Sequence, residues 1–152
     1  MQALTFTLQG NTFAVPIDSI KELIELPEMT PVPMMPGFLR GVMNLRGSVI
    51  PVIDLAQRFG LARTEAGWRS CVVIFEFGVG KNRQTLGVMV DVVHEVVEVG
   101  ANQIDEPPQF GTHIALEYLQ GMIRLRQQIV PLLDTSQVLS IEQLESLTAA
   151  AG

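Results

Sequence analysis

This chain repeats itself. Residues 38–54 and 118–134 align at a constant offset of 80, with Leu39/Leu119, Gly41/Gly121, Leu45/Leu125, Arg46/Arg126, Pro51/Pro131 and Asp54/Asp134 identical. Most other pairs exchange one aliphatic for another. Upstream of each copy, residues 13–25 and 86–98 align at an offset of 73 and share Glu22/Glu95. Two matched blocks in the same order are far harder to reach by chance than one, so the chain reads as two structurally similar halves. The halves join near residues 60–67, which gives sub-units at about 1–66 and 67–139 within one domain spanning 1–152, with strand exchange between them left open.

Each half is strand-like. Residues 4–8 alternate apolar and polar, Gln9-Gly10-Asn11 is a turn signal, and residues 12–17 read as the return strand of a hairpin. Residues 42–45 and 49–53 flank Arg46-Gly47-Ser48 as a second hairpin. Pro51 donates no ladder hydrogen bond, which predicts an edge or a bulge there, and Pro131 repeats the device. In the second half, residues 71–77 and 86–90 form a hairpin around residues 78–82, and residues 122–125 and 129–133 form the next. Four or five short strands per half must close on themselves or find an apolar partner. An all-β pair of small barrels packed together is the economical solution. Helices are short. Asp54 before Gln57 and Asp134 before Gln137 have nearly capping-box spacing, so both aspartates read as structural caps. Ile141, Leu144 and Leu147 give one apolar face to a C-terminal helix over 140–149, capped by Ser140. Residues 26–36 hold four prolines and read as an irregular crossing.

Composition narrows the function. The net charge of −6 disfavours a nucleic-acid binder, which needs a basic patch. Charged residues are 17% of the chain against about 25% in an ordinary domain, and apolar residues are 47%, which excludes disorder. The apolar runs are far shorter than the ~20 residues of a span, so no direct membrane insertion is expected. One cysteine, Cys71, and no cation before Lys21 point to a cytoplasmic protein without a signal peptide.

No catalytic, metal or cofactor constellation stands out. His94 and His113 have no ligand spacing, and Cys71 opens an apolar strand as a small hydrophobe. Glu22 and Glu95 read as outward-facing strand residues and Arg126 as a solvated turn cation. Arg46 is different, because Asn44-Leu45-Arg46-Gly47 presents a guanidinium fork on a rigid hairpin between apolar strands. Such a fork suits a partner's carboxylate.

The stretch Gly41-Val42-Met43-Asn44-Leu45-Arg46-Gly47-Ser48-Val49-Ile50-Pro51-Val52-Ile53-Asp54-Leu55 resembles the signature of the CheW family of chemotaxis coupling proteins. Supporting matches are Phe13-Ala14-Val15-Pro16-Ile17, Pro36-Gly37-Phe38, Leu86-Gly87-Val88-Met89-Val90-Asp91 and Pro107-Pro108-Gln109-Phe110. The resemblance implies two pseudo-symmetric SH3-like five-stranded β-barrels with a hydrophobic cleft between them. It also implies a non-enzymatic adaptor that uses no cofactor and joins the cytoplasmic tip of chemoreceptors to the regulatory domain of a CheA-like histidine kinase. Position by position, it assigns Arg46, Ile20, Glu22, Val72 and Val93 to the receptor-facing surface. The second hairpin, Arg124-Leu125-Arg126-Gln127-Gln128, is more basic than the family pattern. A coupling adaptor of a pilus-motility or other receptor–kinase pathway fits the same pattern. A small-ligand-binding double β-barrel is the alternative from another class.

Overall fold

The computed structural model describes residues 1–34, 37–59, 65, 67, 69–77, 83–107 and 118–135. The expected C-terminal helix at 140–149, the 78–82 turn, most of the 60–67 connection, Pro36, Pro108-Gln109-Phe110, Gln137 and His113 lie outside those residues.

Eleven strands run through the described residues: β1 Gln2–Leu8, β2 Asn11–Pro16, β3 Ile20–Glu25, β4 Leu39–Leu45, β5 Ser48–Asp54, β6 Cys71–Phe77, β7 Gln84–Val90, β8 Val92–Glu98, β9 Ile104–Asp105, β10 Leu119–Leu125 and β11 Gln128–Leu133. They build a five-stranded sheet in the order β3-β6-β7-β5-β4 and a six-stranded sheet in the order β8-β1-β2-β11-β10-β9. The β1–β2 hairpin thus lies among strands of the second half, and the β6–β7 hairpin among strands of the first. The hairpins are antiparallel, and one parallel strand pairing joins each guest hairpin to its host, with Leu132 opposite Ala14 in one and Val52 opposite Gly87 in the other.

Alternation along the strands explains why this arrangement holds. Along the central strands β1, β2, β5, β6 and β7, one face fills a barrel and the other meets the second barrel. Met43, Ile50, Val52, Val72, Ile74 and Met89 fill the first barrel. Ala3, Ala14, Val97, Ile123, Val130 and Leu132 fill the second. The intervening residues, among them Leu4, Phe6, Val15, Val73, Phe75 and Val88, form one seam between the sheets. Each buried aliphatic or aromatic side chain stabilises by about 1.5–3 kcal/mol, so the seam is a core in its own right.

The repeated residues mark shared devices. Gly41 has φ +150°, and a Cβ there would sit 2.5 Å from the Thr30 carbonyl oxygen, where residue 30 bridges to Val42. A Cβ on Gly121 would likewise lie 2.6 Å from Ile104 Cγ2, where β9 crosses β10. Pro51 stands one residue before β5 begins to pair with β7 at Val52, so its missing N–H interrupts no ladder on that side. The expected edge is therefore local, within a strand that is central further along.

Asp54 caps the short helix α1, Leu55–Arg58, accepting from the N–H groups of Ala56 at 3.1 Å and Gln57 at 3.4 Å. The reciprocal half of the expected capping box is not made. The Asp54 N–H donates to the Phe38 carbonyl at 2.6 Å, which leaves Gln57 nothing to reach back to. The other Asp54 oxygen pairs with Arg40 at 3.1 Å, with the aspartate fully buried. In the second half the Asp134 N–H donates to the Tyr118 carbonyl at 2.8 Å, repeating the first. Arg58 of α1 lies against both Phe38 and Tyr118, 5.5 and 5.3 Å from their ring centroids. Those aromatics occupy equivalent positions of the two repeats, so one cation ties the two barrels together.

Candidate functional site

The β4–β5 turn places its residues in the left-handed region, Arg46 at φ +48° and Gly47 at φ +90°, as a two-residue hairpin turn requires. Asn44 stiffens it by accepting the Gly47 N–H on its side-chain oxygen at 2.9 Å. The backbone of Arg46 is therefore held in a fixed place at the tip. It meets Glu22 with both terminal nitrogens, Nη1 donating to Oε1 at 3.1 Å and Nη2 donating to Oε2.

Glu22 arrives there through β3. Ile20 and Ile24 flank it two residues away on each side, and the register slips between Ile20 and Glu22 against β6. Ile24 packs on the interior of the first barrel and Glu22 shares its face, at the open end that Arg46 covers. The hydrogen bond from Arg46 holds the Glu22 carboxyl below its usual range, aided by the charges of Arg46 and Lys21, while the same bond pushes Arg46 up. Glu22 is thus more than the outward-facing strand residue expected from its neighbours. Elsewhere on the first sheet two large apolar side chains are exposed, Val49 at 72% and Leu23 at 47%.

The remaining expected contacts distribute differently. Ile20 and Val93 are half-buried and pack against the seam from equivalent repeat positions, one in each sheet. Val72 is corrected: it is fully buried inside the first barrel, because its side of β6 faces Val52 and Met89, so it cannot touch a partner directly. Asp54 keeps its expected structural role. Arg126 is a turn cation whose side chain is 73% exposed, and it pairs with Glu95 at 2.8 Å. His94 hydrogen-bonds Thr7 Oγ1 at 2.6 Å. Cys71 is half-buried, and burial pushes its thiol pKa up. Among the described residues no group of three or more His, Cys, Asp and Glu side chains converges as a metal site. No helix among them is long and apolar enough to cross a membrane.

Sequence reading missed the Arg40–Asp54 pair and the Arg58 contact. Arg40 has Gln120 at its repeat position, so the repeat offered no signal for it. The exposed apolar positions did carry one: Val49 and Ile129 are 80 residues apart, and Leu23 and Val96 are 73 apart.

The site combines a bidentate cation with its carboxylate at a tight hairpin tip, which is equipment for recognition. Residues 2–143 match the CheW-like domain. The chain belongs to the CheW-like family. It is 31% identical over 141 residues to Chemotaxis protein CheW of Klebsiella aerogenes, covering 93% of this chain and 82% of that one. It is 31% identical over 150 residues to Chemotaxis protein CheW of Treponema pallidum, covering 96% and 86%. Protein FrzA of Myxococcus xanthus is 29% identical over 127 residues, covering 82% and 76%. The crystal structure of scaffolding protein TtCheW from Thermoanaerobacter tengcongensis superimposes with a TM-score of 0.78 over 88% of each chain, at 30% identity. The all-β pair of packed barrels is the fold that these findings support.

Proposed function

We propose that this chain is a cytoplasmic, non-enzymatic adaptor in bacterial chemotaxis that couples chemoreceptors to a CheA-type histidine kinase. The observation that carries the reading is the Arg46–Glu22 fork at a hairpin tip, in a chain of this family that also exposes Val49 and Leu23. A receptor hairpin lays its apolar side along this surface and the seam beside Ile20 and Val93, and its polar groups are oriented by the fork. Val72 contributes from beneath, as packing that keeps the strands in place. Coupling follows if the receptor's signalling states differ in the free energy of these contacts, since only that difference shifts the kinase.

The test is co-sedimentation of the full chain with membranes bearing chemoreceptor cytoplasmic domains and the kinase. Arg46→Glu reverses the charge at the tip and is expected to stay folded by circular dichroism while losing receptor binding. Wild-type levels of co-sedimentation by the folded variant would remove Arg46 from the contact. Receptor control of kinase autophosphorylation that is unchanged when the chain is omitted would end the adaptor reading. A different receptor–kinase pathway is the second reading, favoured by the similarity to Protein FrzA. The receptors and kinase that co-purify from the native host separate the two.

A further inference from the structure

Each barrel carries an arginine on a two-residue turn to a glutamate of another strand. Arg46 meets Glu22, and Arg126 at the repeat position meets Glu95. Both turns place successive residues at positive φ, +48° and +90° at Arg46 and Gly47, +49° and +68° at Arg126 and Gln127. The two tips are nevertheless secured by different chemistry.

At the first tip, glycine occupies the second left-handed position, where any side chain is strained. A Cβ on Gly47 would meet nothing within 4 Å, so the glycine serves backbone conformation and not packing. Asn44 Oδ1 accepts the Gly47 N–H at 2.9 Å and ties β4 to the turn beside the arginine. At the second tip Gln127 stands in the place of Gly47, and Arg124 in the place of Asn44. A guanidinium has only donors, so Arg124 cannot accept the Gln127 N–H. Its contacts lie across β10 instead, where Nε pairs with Asp105 at 3.1 Å and Nη2 donates to the Asn102 carbonyl. The same arginine–glutamate pair thus rides on a pinned turn in one barrel and on a strained turn without that pin in the other.

We propose that Asn44 is the positioning residue of the Arg46 fork, holding the turn so that the guanidinium stands where a receptor's polar group meets it, a role Arg124 cannot take at the second tip. The receptor side of this role rests on the coupling function proposed for the chain, and the fork side does not. Arg46 and Glu22 side chains are 64% and 26% exposed. Coulomb attraction between groups so exposed is weak, so the persistence of the bidentate contact depends on how well its geometry is held. A turn free to rock loses conformational entropy each time the fork forms, and again each time a partner group is met.

The full chain with Asn44→Ala keeps Arg46, Gly47 and Glu22 and removes only the acceptor. Asn44 is exposed, so the variant is expected to stay folded by circular dichroism. Its Glu22 side-chain titration, followed by NMR, should rise from its lowered midpoint toward 4.5. Its affinity for receptor-bearing membranes in co-sedimentation should fall about fivefold, as for one lost hydrogen bond. The double change Arg124→Asn with Gln127→Gly rebuilds the pin in the second barrel and should raise the heteronuclear NOE of the amides at 126 and 127. A Glu22 midpoint unchanged by Asn44→Ala, or a rebuilt second tip that stays as mobile as before, overturns the proposal. A raised midpoint with unchanged receptor affinity overturns the receptor side of the role. If Arg46→Glu also leaves receptor binding intact, the coupling reading itself has failed, and the titration still decides whether Asn44 positions the fork.

Discussion

Glu22 shows how far a single residue's chemistry depends on its fold. Its strand neighbours make it an ordinary half-exposed carboxylate, and nothing near it in sequence is Arg46. The bidentate contact stabilises the charged form, so its pKa falls below the usual 4.5. A depressed carboxylate contributes its interaction above the unfolded value and loses it as pH falls through the lowered folded value. The Arg46–Glu22 contact is therefore expected to persist through neutral and mildly acidic pH and to dissolve only below 4.5. An NMR titration of the Glu22 side chain should give a midpoint under 4.5, which Arg46→Ala returns toward that value. An identical midpoint in both proteins would mean that the fork does not form in solution. Arg46 itself was legible, because the Asn-Leu-Arg-Gly turn fixes a guanidinium at a tip. Its partner was not, because the partner comes from a strand 24 residues away in the chain.

At the scale of elements, local chemistry predicted most of what formed. The alternation and turn residues placed the hairpins, and the two positive-φ residues at the Gln9-Gly10, Arg46-Gly47 and Arg126-Gln127 tips follow from two-residue turns. The start of α1 was also legible, because an aspartate at that spacing is a good cap. Its second function was not: the same carboxylate neutralises Arg40, whose side chain is only 11% exposed. Asp54→Ala is accordingly expected to cost about 3 kcal/mol, because it removes the cap and breaks the buried ion pair with Arg40. Asp54→Asn keeps an acceptor for the Ala56 N–H and should cost less. Urea denaturation of the two variants decides it. A loss of only about 1 kcal/mol for Asp54→Ala would mean that the cap is the whole effect.

The whole molecule is a pair of sheets that have traded hairpins. In the first sheet the borrowed β6 and β7 lie between β3 and β5 rather than at an edge. A fragment of residues 1–66 therefore lacks the middle of its own sheet. It is expected to be unfolded alone and to regain a β spectrum when mixed with residues 67–152. Cooperative unfolding of the isolated 1–66 fragment would contradict this. The exchange also answers where so much apolar sequence goes: two barrel interiors, one shared seam, and exposed patches at Leu23, Val49, Val96 and Ile129. The amino-acid order by itself determined the repeat, the strand alternation, the tip turns and the cap at Asp54, because each is written in spacings of a few residues or in a constant offset. Tertiary structure alone decided which half each hairpin joins, which arginine meets which glutamate, that Val72 is core, and that Thr5 is buried against the Glu95 backbone. Those outcomes depend on contacts between residues distant in the chain, where side-chain size and strand register have to be satisfied in space.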